Sequence, residues 1–324
     1  MILVCGEALV DLFVNEDQCS GLTAQVFLGG SPFNVAIGLA RLGEAVAFCG
    51  GLSSDRFGQA LRLRLQREHV DLGFIVNSPR LTTISVIATD SSGQPDYAFH
   101  GEGKADREVS PQMLPDTLPS NISALTFGSY TLAVAPVADA YLALARREAA
   151  SRVISLDPNI RPTVTPDRAQ WRQRINAFLP LADIIKASEE DIAIGYGEAA
   201  NIDDVVADWF AAGASLILVT HGGRGATGFL RSGMQVFVPG RAIEVRDTVG
   251  AGDTFHAAIL RHLGKSQRLS KSGIAKLTTE GLRQAMEYAV AAAAITCTRS
   301  GADLPTEAEV LASLGLNTPQ HNEI

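Results

Sequence analysis

Short apolar runs alternate along this chain with longer segments whose apolar residues recur three or four positions apart. Ile2–Cys5, Val46–Cys49, Leu125–Phe127, Val153–Leu156, Ile184–Lys186 and Leu216–Thr220 are runs of the first kind. Each predicts a buried strand. Phe33–Leu42, Arg56–Glu68, Val137–Ala150, Arg168–Phe178, Glu189–Ile194 and Asp203–Ala212 carry the helical spacing. The first of these helices has Ser31 at the N-cap position, Pro32 at the first helical position and Gly43 as its stop. Strands and helices in alternation predict a mostly parallel sheet with helices on both faces, an α/β fold.

Two patches break the alternation. Around 11–29, the strand-like pieces Leu12–Val14 and Gln25–Leu28 flank polar Asn15–Gly21. Around 74–102, Phe74–Val76, Ile84–Thr89 and Asp96–Phe99 read as strands, with Ser91-Ser92-Gly93 as a turn. The two patches are expected to pair into a small sheet apart from the main one. The alternative makes them extra strands at the main sheet's edge. Further on, Gly225–Leu230 and Gln235–Val238 form a hairpin-like pair. Tyr288–Thr298 is alanine-rich and apolar, but shorter than the ~20 residues a membrane span needs, so it predicts a buried helix. The tail after Asn317 is polar and expected to be loose. The whole chain, 1–324, is read as a single domain.

Composition narrows the partners. With 46% apolar and 19% charged residues, this is the makeup of a globular protein. A net charge of −8 and a pI near 5.3 argue against nucleic acid and anionic membrane as partners. Arg62, Arg64 and Arg67, the densest basic group, fit the solvated side of a helix. Cys5, Cys19, Cys49 and Cys297 show neither a Cys-x-x-Cys pair nor a zinc-like spacing. That usage, and an N-terminus that opens on a strand, predict a reducing, cytoplasmic setting.

The strongest chemical signal lies at Val245–Leu260, where Gly250-Ala251-Gly252 runs into an apolar-periodic helix. A glycine turn at a helix start exposes amide N–H groups at the positive end of the dipole, an anion site. Asp253 sits at that helix start and reads either as its N-cap or as a base taking a proton from an attacking hydroxyl. At Gly29-Gly30-Ser31-Pro32-Phe33-Asn34, Gly30 lets a polyol approach the backbone, while Asn34 either bonds a hydroxyl or caps the helix. In Asp157-Pro158-Asn159-Ile160-Arg161-Pro162, two prolines stiffen a strand's C-terminal end, and Arg161 is suited to phosphate. Ser188 is an ordinary N-cap with Asp191 three residues on. No Gly-x-Gly-x-x-Gly follows the first strand, which argues against a dinucleotide-dependent oxidoreductase.

Asp247-Thr248-Val249-Gly250-Ala251-Gly252-Asp253-Thr254-Phe255 resembles the second signature of the ribokinase-like (PfkB) sugar kinases. Gly29-Gly30-x-x-x-Asn34-x-Ala36, followed by Leu39-Ala40-Arg41-Leu42-Gly43, resembles their first. The resemblance runs from Gly6 to Ala302. It implies a three-layer α/β/α fold with a small β-sheet lid, and phosphoryl transfer from Mg·ATP to a sugar hydroxyl. Asp253 would be the base, and the amides of Gly250, Ala251 and Gly252 the anion hole. Asp11, Gly30, Asn34, Phe99 and Arg161 would meet the sugar and the transferring group. Lys186, Ser188, Thr220, Gly222, Gly225 and Gly252 would line the nucleotide, with His221 incidental. Many relatives carry Asn-x-x-Glu where this chain has Ser188-x-x-Asp191, so Asp191 would reach Mg²⁺ through water. Thr298-Arg299-Ser300-Gly301-Ala302 matches the family's closing motif. With Asp247, Val249 and Thr296, residues Arg299 and Gly301 would form the K⁺ site that some relatives use.

The Asp157-Pro158-Asn159-x-Arg161 string and the segment Phe99–Asp106 resemble the fructokinase branch, which implies D-fructose as substrate. The rival within the class is a 2-keto-3-deoxygluconate kinase, whose substrate carboxylate needs a cation such as Arg80 or Lys104. A non-catalytic sugar-binding regulator on the same fold is the rival from another class, and it is expected to lack Asp253. Apolar Phe13, Val26, Phe27, Ile84 and Val86 would either cover the sugar or pair with a second lid to make a homodimer.

Overall fold

The computed structural model describes residues 1–17, 21–89 and 95–316. The Ser91-Ser92-Gly93 turn and the tail from Asn317 lie outside the described residues. The strands are β1 (Ile2–Cys5), β2 (Leu9–Asp17), β3 (Gly21–Gly29), β4 (Val46–Cys49), β5 (Gly51–Ser53), β6 (Val76–Ser78) and β7 (Ile84–Thr89). They continue with β8 (Pro95–His100), β9 (Ala124–Gly128), β10 (Val153–Asp157), β11 (Ile184–Ser188), β12 (Leu216–Thr220), β13 (Gly225–Leu230) and β14 (Gln235–Pro239). The helices are α1 (Ser31–Arg41), α2 (Arg56–Arg67), α3 (Val137–Glu148), α4 (Arg168–Phe178) and α5 (Glu189–Tyr196). After them come α6 (Ile202–Ala212), α7 (Ala251–Lys265), α8 (Lys271–Ala275), α9 (Thr279–Cys297) and α10 (Glu307–Ser313). None of the described helices is long and apolar enough to cross a membrane.

Eight strands form the main sheet in the order β14-β13-β12-β11-β10-β9-β1-β4. It is parallel from β4 to β12, and the β13–β14 hairpin continues it antiparallel. Continuous apolar runs suit these strands because both faces are covered. Ile2 and Val4 of β1 point into one core with Phe33, Leu61, Phe255, Ile259 and Met286. Leu3 and Cys5 point into the other with Tyr141, Leu144, Trp171, Phe178 and Trp209. Helices α1, α2, α7 and α9 therefore lie on one face, and α3, α4 and α6 on the other. This is the three-layer α/β/α architecture expected.

The second sheet, β3-β2-β7-β8, is separate from the first, so the edge-strand alternative is out. Its strands outrun the apolar runs that announced them. Leu9–Asp17 pairs with Gly21–Gly29 through polar Asn15, Glu16 and Asp17, because a ladder needs backbone donors and acceptors rather than apolar side chains. The patch expected at 74–102 is narrower in the structure. Phe74 and Val76 pack on the second core, and β6 pairs in parallel with β5, whose backbone edge is adjacent to it. Only β7 and β8 from that patch join the small sheet.

One helix crossing positions the site. Helix α1 lies against α7 with Gly38 at the contact, where an added Cβ would stand 3.0 Å from the Ala257 Cβ and 2.5 Å from Leu304. A larger residue must push the two helices apart. Gly38→Leu is expected to destabilise the fold by about 1–3 kcal/mol, the range for overpacking, read as a lowered denaturation midpoint. An unchanged midpoint would mean that the crossing is not tight.

Candidate active site

Strand order reverses direction around β1, which has β4 on one side and β9 on the other. Beyond the carboxyl ends of the strands at such a switch point an α/β sheet leaves a crevice. Glu7 follows β1 there and Ser129 follows β9, while Asp157, Lys186 and Thr220 stand at or near the ends of β10, β11 and β12. Helix α7 points its amino end at the same crevice.

The start of α7 is built for a ligand rather than for itself. Gly250, not Asp253, is the N-cap, in the left-handed region at φ 78°, and no side chain caps the helix. An added Cβ there would lie 2.8 Å from the Ala302 Cβ. The Ala251 amide turns back to the Thr248 carbonyl, whereas those of Gly252 and Asp253 have no partner among the described residues. Of the three amides expected to form an anion hole, the Ala251 N–H is thus engaged in the turn. Asp253 is buried in the first helical turn, and α1 holds its carboxylate. The Ser31 hydroxyl donates to Oδ1 at 2.6 Å and the Asn34 amide to Oδ2 at 2.9 Å. The N-cap readings of Asp253 and Asn34 fall away. So does that of Ser31, because Gly30 caps α1 and Ser31 is its first helical residue.

Beneath α7 lies a buried polar cluster. The Lys186 ammonium donates to Asp157 Oδ2 at 2.8 Å, both groups being almost fully enclosed. An added Cβ on Gly252 would come within 2.9 Å of that ammonium, so the glycine makes room for the lysine. Burial pushes the Asp157 carboxyl up to about 7, against the pull of Lys186. His256, one turn along α7, bonds Ser155 Oγ through Nε2 at 2.8 Å. Burial, then the Lys186 charge, hold it down to about 3, so its ring is neutral. Asp157 Oδ1 and His256 Nδ1 have no partner among the described residues. Asp191 is tied to the start of its own helix and to the loop after β10. One oxygen takes the Ser188 amide and hydroxyl at 2.8 and 2.6 Å, and the other takes the Ile160 amide at 2.7 Å.

Toward the small sheet, Asp11 on β2 lies opposite Ser85 on β7. Burial pushes its carboxyl up to about 6, while its bond with Ser85 and the Arg161 guanidinium pull the other way. An added Cβ on Gly29 would meet Asp11 Oδ2 at 2.6 Å, and one on Gly30 would meet the Glu7 carbonyl at 2.8 Å. Arg161 is exposed in the loop after β10, with its guanidinium 3.3 Å from the Ile160 carbonyl. Phe99 sits edge-on to Tyr130, ring centres 5.2 Å apart, and Arg107 lies 5.1 Å from both rings. Glu7 accepts the Ser31 amide at 3.3 Å. Its burial pushes the carboxyl up to about 8. Asp106 accepts the Tyr130 hydroxyl at 2.6 Å and the Thr83 hydroxyl.

Thr220 ends β12, Gly222 lies in the turn after it and Gly225 opens β13; the open side of Gly222 faces no other atom within 4 Å. His221 leans on Thr227 Oγ1 at 2.9 Å. Asp247, Val249, Thr296 and Gly301 are brought together behind Gly250. Asp247 accepts the Val249 and Gly301 amides at 3.0 and 2.8 Å, and Thr296 pairs with Thr254 at 2.8 Å. The Arg299 side chain leaves this corner, turning to Glu309 and the Asp303 carbonyl. Ser31, Asp157, His256, Glu7, Asp106 and Arg107 were not singled out from the sequence as site residues. The signals available were an acid directly after a buried strand, as at Glu7, and the strings that hold Ser31, Asp157 and Asp106.

Gly252→Ala is expected to displace Lys186 and lower kcat roughly a hundredfold, the scale of an ångström's misplacement, with folding intact by circular dichroism. A variant of wild-type rate would show the lysine free to move. Between its ordinary value of 4.5 and about 8, Glu7 holds a proton in the folded chain that the unfolded chain releases. The unfolded state then binds fewer protons, so stability falls as pH rises through that window. Glu7→Gln is expected to reduce the fall between about pH 5 and pH 8 in denaturant titrations. An unaltered pH slope would count against a protonated Glu7.

A fructokinase of Rhizobium leguminosarum bv. trifolii is 40% identical over 283 residues, covering 87% of this chain and 86% of its own. Fructokinase-1 of Zea mays is 33% identical over 318 residues, 96% of each chain. The crystal structure of a Xylella fastidiosa fructokinase with bound ATP superposes with a TM-score of 0.89 at 28% identity, covering 97% of this chain and 98% of that one. A Vibrio cholerae O395 fructokinase double mutant, in a form with fructose, ADP and potassium ion bound, gives 0.83 at 26% identity, covering 97% of each chain. The pfkB family carbohydrate kinase model matches residues 1–309, and the chain belongs to that family of sugar phosphotransferases.

Proposed function

We propose that the chain is a fructokinase, moving the γ-phosphoryl group of ATP to D-fructose to give fructose 6-phosphate and ADP. The observation that carries this reading is a buried carboxylate, Asp253, at the uncapped start of α7, with unpaired amides beside it. The acceptor hydroxyl gives its proton to Asp253, while the α7 amides meet the charge on the transferring group. Lys186, held by Asp157, adds a fixed cation beside the same amides. Asp11, Asn34 and the backbone at Gly30 orient the sugar; Arg161 reaches the phosphoryl group. The turn from Thr220 to Gly225 lines the nucleotide.

Mg²⁺ would arrive with ATP and offset the phosphate charge. No group of three acids, histidines or cysteines among the described residues forms a cage for it. Phosphates and water would make up most of its shell, with Asp191, already bonded three times, reaching it through water. The corner of Asp247, Val249, Thr296 and Gly301 suits K⁺. The small sheet would close over the sugar and exclude water, which would otherwise accept the phosphoryl group. Exposed Val26 and Phe27 on β3 offer a surface through which two such sheets would pair.

The relatives favour fructose, since those compared are named fructokinases. The second reading, a 2-keto-3-deoxygluconate kinase, draws on Arg107. It lies beside Phe99, and its Nε has no partner among the described residues. A coupled ADP assay with Mg·ATP is expected to show turnover with fructose; turnover with the keto acid alone would reject it. Asp253→Asn is expected to cut kcat by roughly 10²–10⁴-fold while sugar binding persists. Residual activity within about tenfold of wild type would remove Asp253 as the base.

A further inference from the structure

A serine at the start of a helix ordinarily turns its hydroxyl onto its own backbone. Ser31 does not: α1 has no side-chain cap bond. Its hydroxyl instead bonds Asp253 Oδ1 at 2.6 Å, across 222 positions of sequence. The backbone of Ser31 is fixed from a third direction. Its amide donates to Glu7 Oε1 at 3.3 Å, and Gly30 before it takes φ 110°, with the Glu7 carbonyl filling the space a Cβ would need. The hydroxyl is therefore presented to α7 by the turn after β1, not by α7 itself.

We propose that Ser31 is a positioning residue for phosphoryl transfer: its hydroxyl fixes the rotation of the Asp253 carboxylate so that the base faces the acceptor hydroxyl. This rests on Asp253 being the base. The last torsion of an aspartate is broad and roughly two-fold. One donor, Asn34 on Oδ2, leaves the group free to pivot; a second donor on the other oxygen stops it. A carboxylate offers about four acceptor sites, and the two bonds take one on each oxygen. The remaining sites stay open for the sugar. Ser31 and Asp253 are 8% and 7% exposed, so little water competes for the bond.

The test combines steady-state kinetics with a double-mutant cycle. Ser31→Ala and Ser31→Gly both remove the hydroxyl. Each is expected to lower kcat roughly tenfold, the scale of one charge-assisted hydrogen bond, with KM for fructose and for ATP within about twofold. In an Asp253→Asn background the same change is expected to cost nothing further, because the serine acts only through the base. A merely structural staple between α1 and α7 would lower the melting temperature and act equally in both backgrounds, and that result would overturn the proposal. So would an unchanged kcat, or a loss confined to KM. If Asp253→Asn stays active, the base reading itself fails, and the role of Ser31 with it. If Asp253→Asn is inactive and Ser31→Ala matches wild type, only the role of Ser31 fails.

Discussion

Asp253 carries its carboxylate between the amino ends of two helices, and the rest of the site is arranged around that charge. A helix start is electropositive and leaves N–H groups without an intrahelical partner, so an acid placed there is stabilised and an anion brought to it would meet the same field. Helix α1 supplies donors from its first turn, Ser31 and Asn34; helix α7 supplies the acid and the free amides of Gly252 and Asp253. Neither helix has this property alone. It exists because Gly38 lets the two approach to contact and because the strand edges hold the turn at Glu7 in place.

The crevice behind that charge is costly to build. Lys186, Asp157, His256, Glu7 and Asp106 are all buried at or beyond the ends of the parallel strands. A buried charge is tolerable when it is paired and hydrogen-bonded, which is the case for Lys186 with Asp157. The others settle by changing protonation. Burial pushes Glu7 and Asp106 upward and holds His256 neutral, so fewer net charges stay enclosed at neutral pH. Two apolar cores, one on each face of the sheet, supply the stability that such a site consumes. Polar atoms without a partner among the described residues, Asp157 Oδ1 and His256 Nδ1, sit under the same helix as Asp253.

Most of the main sheet was legible along the chain. Apolar runs marked β1, β4 and β9 to β12 because strands covered on both faces are apolar at most positions. The small sheet was legible only in part. Its strands β2 and β3 continue through Asn15, Glu16 and Asp17, where side-chain polarity says nothing about backbone pairing. Phe74–Val76 has a strand's composition, but only Val76 of it enters a strand, β6, which runs on to Ser78 along the edge of β5, and only distance in space chose that partner. In the site, the glycine turn and Asp253 were read as an anion site and a base, yet the cap of α7 proved to be Gly250. Ser31 had every mark of an N-cap and became a donor to Asp253 instead, since Gly30 takes the cap position and a buried carboxylate competes strongly for a hydroxyl. Arg299 belongs to a motif matched in sequence, but Glu309 and the Asp303 carbonyl draw its side chain away.

Periodicity and motif, then, determined the kind of fold, the order of most elements and the stretch of chain holding the acid and its amides. These depend on residues near one another in sequence, where spacing translates directly into a shared face or a turn. Tertiary structure alone decided which donors hold the acid, which lysine fills the space beside Gly252, and which carboxyls are driven to keep their protons. Those outcomes depend on groups tens to hundreds of positions apart, brought together by sheet order and helix crossing. Local pattern carries no record of the distances that result.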